Sequence, residues 1–159
     1  MSNAMNLEAA PQDATLAFAP FANKVVQFYE SLTPQSVADL RDVYEARARF
    51  KDPFNDVQGL PAIQAIFAHM FETLENPRFV VTTRLVQGKQ CFLAWEFRFR
   101  FKRFHAGQDQ CIVGASYLEF APDGRIRTHR DYWDAAEELY EKLPWIGRFM
   151  RWLKKRASS

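Results

Sequence analysis

The sequence predicts an α+β fold, in which helices pack on one face of a curved, mostly antiparallel sheet. Two features of the residue pattern support this prediction. Apolar residues recur with helical spacing as far as Leu74, and from Arg78 onward they alternate with polar residues as they do in strands. Successive strands joined by short turns favour antiparallel pairing. Helices that precede a run of strands are typical of the α+β class.

The first two predicted helices occupy the N-terminal third of the chain. The apolar face of the first helix is formed by Phe18, Phe21, Val25, Phe28 and Leu32. Thr33 and Pro34 then supply the N-cap and the first helical residue of a second helix. The apolar stripe of this second helix is formed by Val37, Leu40 and Tyr44. It ends before Asp52, because a residue that precedes a proline avoids the helical region.

A third helix and four strands follow. Residues 50–59 form a loop, with or without a very short strand, and Pro61 opens a helix that runs to Leu74. The strands are predicted over residues 79–86, 89–102, 111–120, and from the turn at 121–124 to about Trp133.

The second strand alternates most strongly. One face carries Cys91, Leu93, Trp95, Phe97, Phe99 and Phe101, and the other carries Ala94, Glu96, Arg98, Arg100 and Lys102. Such a strand has one buried and one solvated face.

The chain divides into one folded domain and two terminal segments. Residues 1–17 comprise a tag-like Met-Ser-Asn-Ala start and a loosely held arm, and residues 18–134 form the α+β domain. Residues 135–159 form a basic helical tail, whose first helix is N-capped by Asp134.

The tail has aromatic and basic residues between Trp145 and Arg156. This segment allows two interpretations: it packs on the fold or on a partner, or it contacts a membrane surface. Packing is the favoured interpretation, because the segment is short.

Bulk composition limits the function classes. Hydrophobic residues make up 48% and charged residues 25%, as in globular proteins, and a net charge of +2 argues against nucleic-acid binding. The aromatic share of 15% indicates a bulky core or a cavity lined by rings. Cys91 and Cys111 form neither a disulfide framework nor a metal-ligand spacing. Because the sequence has no ligand cluster and no phosphate loop, we expect no metal and no organic cofactor. Without a leader or a long apolar run, we expect a cytoplasmic protein.

The motifs occur in an order that resembles a known superfamily. Asp52-Pro53 lies in the loop, Gly59 precedes the third helix, and Gly124-x-Ile126 leads into Arg130-Asp-Tyr-x-Asp134. This order is similar to that of the nuclear-transport-factor-2-like superfamily, and most of all to its SnoaL-like, ketosteroid-isomerase-like members. The resemblance covers roughly residues 18–134. It implies a cone-shaped α+β barrel, in a superfamily that hosts isomerases, dehydratases, cyclases, epoxide hydrolases and non-catalytic binding modules.

The end of the last strand also resembles that of limonene epoxide hydrolases. The resemblance implies that Asp131 matches one aspartate of their Asp-Arg-Asp catalytic set. Counted from Gly88, the second acid falls at Glu96 and the arginine at Ala94. The Tyr-x-Asn pair that holds the attacking water falls at Phe50 and Asp52. The match is incomplete, since the arginine and the water-holding pair are absent.

Asp131 is the first candidate for chemistry. It lies between Tyr132 and His129 at the end of an aromatic-rich strand, where apolar surroundings suit a general acid or base. The alternative is a structural ion pair at the rim of the sheet.

Asp52 is the second candidate. Flanked by Phe50 and Phe54, it suits a base that reaches into an apolar cavity, although Asp-Pro also starts turns by capping its own backbone. If Asp52 and Asp131 face one cavity, they form the pair of carboxylates that acid/base chemistry needs.

Two further candidates are Glu96 and His129. Alternation places Glu96 on the outer face, whereas the family resemblance points it inward; we favour the outer face. His129 is a proton shuttle, a residue that orients Asp131, or a structural residue of the rim.

Aromatic residues supply the predicted ligand contacts, with simple core packing as the alternative. They are Tyr44, Phe50, Phe54, Trp95, Phe97, Phe99, Tyr117, Tyr132 and Trp133. The leading hypothesis is a homodimeric enzyme that performs acid/base chemistry on a small hydrophobic molecule, as an isomerase, dehydratase or cyclase does. The competing hypothesis is a non-catalytic module that binds a ligand or a protein.

Overall fold

The computed structural model describes residues 12–103 and 107–138. The first half of the chain forms helix α1 (Gln12–Glu30), a 3₁₀ helix (Gln35–Asp42), strands β1 (Tyr44–Lys51) and β2 (Asp56–Gln58), and helix α2 (Leu60–Thr73). The second half forms strands β3 (Leu74–Gln87), β4 (Gln90–Phe101), β5 (Gln110–Phe120) and β6 (Ile126–Tyr132), and helix α3 (Ala135–Glu138).

The strands form one six-stranded sheet in the order β2-β1-β6-β5-β4-β3. Strands β3 to β6 pair with their sequence neighbours in antiparallel fashion, so the predicted meander is confirmed. Strand β1 pairs with β6 in parallel, and β2 caps the edge as a short antiparallel partner of β1. The sheet is curved and unclosed, and the predicted α+β class is confirmed.

The second predicted helix is wrong in its second half. The helical segment ends at Asp42 as a 3₁₀ helix, and Tyr44–Lys51 is strand β1. Within β1, Ala48 and Phe50 are buried whereas Arg47 and Arg49 are exposed, which is the period-two pattern of a strand. Alanine and arginine favour helices intrinsically, but pairing with β6 overrides that preference.

Helix α1 is longer than predicted and rotated. It begins at Gln12, within the segment assigned to the arm, and the Thr15 hydroxyl accepts a hydrogen bond of 3.0 Å from the Gly88 backbone N–H. Its buried face is formed by Ala22, Val25 and Tyr29. The predicted phenylalanines lie beside that face and pack on the core from its flank. Strand β3 also begins earlier than predicted, at Leu74, directly after α2.

The core lies between the helices and the inner face of the sheet. Its fully buried members include Ala22, Val25, Leu40, Ile63, Leu118 and Ile126. Burying each valine, leucine or isoleucine side chain of this set stabilises the fold by roughly 1.5–3 kcal/mol. The core therefore holds α1 and α2 firmly against the sheet, and the site described below lies between them.

The turn before β6 depends on Gly124. Gly124 has φ +84°, and a Cβ added there would overlap the ring of Phe21. Gly107 has φ +85°, but no described atom lies within 4 Å of its added Cβ.

We expect Gly124→Ala to lower the free energy of unfolding by about 1–3 kcal/mol more than Gly107→Ala does, because only the substitution at Gly124 adds overpacking to backbone strain. Urea unfolding of both variants measures the difference, and equal losses would contradict the role of Phe21.

Candidate functional site

A cavity of about 320 Å³ lies between the inner face of the sheet, α1 and α2. Its wall is mostly aromatic. The rings that line it belong to Tyr29, Phe50, Phe54, Phe67, Phe79, Trp95, Phe97, Phe99, Phe101 and Trp133. Polar groups are few, and they include Ser116, His129 and Asp131 at one place in the wall. An apolar cavity with a small set of convergent polar groups is the usual form of a small-molecule site.

Strand β6 presents the central polar pair. His129 and Asp131 are two residues apart in β6, so both side chains lie on its inner face. The imidazole Nε2 of His129 is 2.7 Å from Oδ1 of Asp131. In the neighbouring strand, Ser116 is the register partner of Asp131, and its hydroxyl donates to the same Oδ1 at 2.5 Å. Two donors therefore converge on one carboxylate oxygen.

Trp95 completes this side of the site. Its indole N–H donates to the Ser116 hydroxyl oxygen at 2.8 Å. The indole fits there because Gly114, the register partner of Trp95 in β5, has no side chain. A Cβ on Gly114 would overlap the Trp95 ring. Gly114 thus leaves room for the side chain of Trp95, in β4, to reach Ser116 in β5.

Two buried tyrosines lie on the other side of His129. The Tyr44 hydroxyl is 2.5 Å from Nδ1 of His129, and it forms a short hydrogen bond with the Tyr29 hydroxyl. The Tyr29 hydroxyl also lies 3.4 Å from Nδ1. Burial raises the pKa of both phenols far above the ordinary value, and the negative charge of Asp131 raises both further. Both hydroxyls therefore keep their protons.

These contacts determine the protonation of His129. Each of the two phenols has one hydroxyl proton to donate. Within this cluster the possible acceptors are the two phenol oxygens and Nδ1 of His129. A proton on Nδ1 would leave one buried hydroxyl without an acceptor in this cluster, at a cost of about 1–3 kcal/mol. Nδ1 is therefore the acceptor, and Nε2 carries the proton that is donated to Asp131.

Asp131 retains one unused oxygen. Oδ1 accepts hydrogen bonds from His129 and Ser116, whereas Oδ2 accepts none from the described residues. The side chain is 17% exposed and lines the cavity. No described lysine or arginine forms an ion pair with it. The carboxylate is thus held by hydrogen bonds to one oxygen, and the other oxygen can meet a bound molecule.

Asp52 also lines the cavity, so the two predicted acids share one cavity wall. Its oxygens are occupied, however. Oδ1 accepts from the backbone N–H groups of Phe54 at 2.7 Å and Asn55 at 2.6 Å, and the Asn55 side chain donates to Oδ2 at 2.9 Å. This is the turn-capping arrangement that the Asp-Pro motif predicts as the alternative.

Glu96 lies on the outer face of the sheet, as alternation predicts. Its Oε2 accepts a hydrogen bond of 2.6 Å from Nη2 of Arg98, and it does not line the aromatic cavity. Glu96 and Asp131 are therefore not brought together, although the resemblance to limonene epoxide hydrolases pairs them.

The predicted aromatic contacts divide into two groups. The cavity is lined by Phe50, Phe54, Trp95, Phe97, Phe99 and Trp133. The other three do not line it. Tyr44 is fully buried behind His129, with its ring stacked on the imidazole at 5.9 Å. Tyr117 accepts a hydrogen bond from the Gln90 side chain at 3.0 Å, and Tyr132 is 47% exposed beneath the Arg130 guanidinium.

Ser116 and Tyr29 are site residues that the sequence patterns alone do not identify. A signal existed for each. Ser116 is a polar residue at an inward position of β5, between the inward-facing Ile112 and Leu118. Tyr29 follows Val25 by four residues and therefore shares its face of α1.

The described residues contain no group of three or more His, Cys, Asp or Glu side chains placed to hold a metal ion. Within the same residues, no helix has the length and apolarity needed to cross a membrane. The segment Trp145–Arg156, predicted to pack on the fold or to contact a membrane surface, lies outside the described residues.

Comparison with known protein families shows the family of this chain. The family model of the SnoaL-like domain matches residues 25–129, which is most of the sequence. The chain belongs to the SnoaL-like family. The resemblance found in the sequence motifs is thereby confirmed. No curated protein matches this SnoaL-like sequence.

Solved structures share the SnoaL-like fold at low identity. A candidate SnoaL-like polyketide cyclase from Jannaschia sp. CCS1 is 15% identical, with a TM-score of 0.67 over 82% of this chain and 94% of its own. An LEH-like epoxide hydrolase of M. tuberculosis is 11% identical, with a TM-score of 0.62 over 78% and 83%. A hypothetical protein with a ketosteroid isomerase-like fold from Catenulispora acidiphila, in complex with trimethylamine, is 15% identical, with a TM-score of 0.64 over 76% and 90%. These likenesses show the fold.

The hydrogen-bond network predicts how substitutions of tyrosine act. Tyr44→Phe removes a buried hydroxyl that serves both Tyr29 and His129, so we expect a loss of about 1–3 kcal/mol in the free energy of unfolding. Tyr117→Phe is the matched control, because its hydroxyl meets only the Gln90 side chain at an exposed position. Urea unfolding compares the stability of the two variants.

The same network predicts the tautomer of His129. Nitrogen-15 NMR of the wild-type imidazole should show the proton on Nε2. A proton on Nδ1 would contradict the network.

Proposed function

We propose that this SnoaL-like protein binds a small hydrophobic molecule in the aromatic cavity and performs acid/base chemistry on it, with Asp131 as the proton acceptor. The observation that carries the proposal is the free Oδ2 of a carboxylate that lines an otherwise apolar cavity. A base in such surroundings meets little competition from water, which suits proton abstraction near neutral pH. Reactions of the isomerase, dehydratase or cyclase type begin with such a step.

In this proposal the other polar residues position Asp131. Ser116 and His129 hydrogen-bond to Oδ1 and fix the plane of the carboxylate, so that Oδ2 is presented to the cavity. Oδ2 removes a proton from a C–H bond beside a carbonyl group, and the resulting carboxylic acid returns the proton to another atom of the same molecule. The reaction then needs no net gain or loss of protons by the protein.

The cavity size and the family support a small substrate. A volume of about 320 Å³ is at the lower end of the range for small-molecule sites, roughly 300–1,000 Å³. The structure from Jannaschia, a candidate SnoaL-like polyketide cyclase, supports a reaction of the cyclase type. Asp52 has a structural role in this proposal, because its loop already occupies both carboxylate oxygens.

Exchange of carbon-bound hydrogen tests the proposal with a panel of simple carbonyl compounds. Neutral cyclic ketones and β-keto esters are incubated with the protein in D₂O, and NMR follows the loss of the C–H signals. We expect the wild type to accelerate exchange for those compounds that it binds. Asp131→Asn should slow the exchange by about 10²–10⁴-fold, the usual contribution of a positioned base.

Asp52→Asn is the matched control, since it also replaces a carboxylate that lines the cavity. We expect its exchange rate to stay within a few-fold of the wild type. Undiminished exchange in Asp131→Asn would refute the role of Asp131. Binding without exchange by the wild type would instead favour the competing hypothesis, a non-catalytic ligand-binding module.

A further inference from the structure

We propose that the ligand of the cavity carries a positive charge, and that it is a small hydrophobic amine bound in its ammonium form. In this arrangement the ammonium group lies against Asp131, and the hydrocarbon part fills the aromatic cavity. The inference deepens the proposed function and rests on one part of it, namely that the cavity admits a small hydrophobic molecule. It does not require that a reaction occurs.

The charges that line the cavity are of one sign. The described lining residues include the carboxylates of Asp52 and Asp131, and they include no lysine and no arginine. The hydrogen bond that Nδ1 of His129 accepts from the tyrosine pair favours an uncharged imidazole. His69 has a side chain that is 74% exposed and lies 3.6 Å from Glu72, which offsets any charge that it gains. The cavity therefore attracts cations and repels anions.

Among the described residues no lysine or arginine pairs with Asp131, and its Oδ2 accepts no hydrogen bond. Its partners on Oδ1 are the Ser116 hydroxyl and Nε2 of His129. Arg130, its neighbour in β6, lies over the Tyr132 ring at 4.8 Å, on the other face of the strand. Arg127 is bound to Glu45 at 3.1 Å. A partly buried charge without a partner is costly, and a ligand cation at Oδ2 would remove that cost.

The aromatic wall suits the same ligand. Trp95 is anchored beside the carboxylate through Ser116, and the Phe50 ring lies 4.8 Å from the imidazole of His129. Faces of aromatic rings attract cations, and desolvation in a cavity strengthens this attraction. A neutral molecule would fill the same space but would gain neither the ion pair nor the cation–π contacts.

The two roles proposed for Asp131 are compatible. In a ligand that carries both an ammonium group and a carbonyl group, the C–H bond beside the carbonyl loses its proton to Oδ2, and the nearby positive charge stabilises the enolate that forms. The same carboxylate that attracts the ammonium group is then close to the proton that it removes.

Three ligands of one shape test the inference. They are cyclohexylmethylamine as the ammonium ion, cyclohexylmethanol as the neutral isostere, and cyclohexanecarboxylate as the anion. Chemical-shift titrations of the nitrogen-15-labelled protein at pH 7 measure their dissociation constants. We expect the amine to bind about tenfold more tightly than the alcohol, and the carboxylate to bind most weakly.

Asp131→Asn keeps the shape of the cavity and removes the charge. We expect the preference for the amine over the alcohol to fall to about twofold or less, while affinity for the alcohol changes little. Asp52→Asn is the control, and it should retain most of the preference, because the charge of Asp52 is already solvated by its own loop.

The outcomes separate this inference from the proposed function. Equal affinity of the wild type for the amine and the alcohol overturns the inference and leaves the proposed binding of hydrophobic molecules intact. A preference for the amine that survives in Asp131→Asn also overturns it. Failure of the wild type to bind any of the three ligands overturns both. The wild-type comparison is decisive by itself if a variant does not fold.

Discussion

The hydrogen-bonded chain that begins at Tyr29 and ends at Trp95 is the constraint on which the rest of the structure depends. It connects helix α1 to strands β1, β6, β5 and β4 through side chains that are buried or nearly so. A buried polar group left without its partner costs more than a hydrogen bond gains, so the chain favours one arrangement of helix and strands. The apolar core supplies most of the stability, whereas this chain specifies where the cavity wall becomes polar.

The sequence predicts the part of the fold that arises from local pattern. Alternation along β4 identified both of its faces, including the outward position of Glu96. It failed at Tyr44–Lys51, where a run rich in alanine and arginine suggests helix. This segment is a strand because it pairs with the short β2 and, in parallel, with β6, which lies more than seventy residues later in the chain. A non-local pairing of this kind leaves only a weak trace in a short strand.

The candidate site shows the same limit. Asp131 and His129 are polar residues at inward positions of a strand, and the sequence pattern indicates both. Ser116 and Tyr29 were missed, because their importance comes from contacts between separate elements. Ser116 matters through its register with β6, and Tyr29 through an approach of α1 to β1. Whether Asp52 has a structural or a chemical role likewise depends on contacts, here on the backbone N–H groups of its loop that donate to its carboxylate.

Asp52 and Asp131 differ mainly in which carboxylate oxygens accept hydrogen bonds from the protein, and less in how deeply they are buried. Both carboxylate oxygens of Asp52 accept hydrogen bonds from its own turn, whereas Asp131 receives both of its donors on Oδ1. Two series of hydrogen bonds end at Asp131, and in both of them each group donates toward the carboxylate. One runs from the phenols through His129, and the other runs from the Trp95 indole through Ser116. A proton that arrives at Oδ2 therefore requires no other proton in the network to move. Such preorganisation lowers the cost of a change in charge, since the surrounding dipoles are already in place.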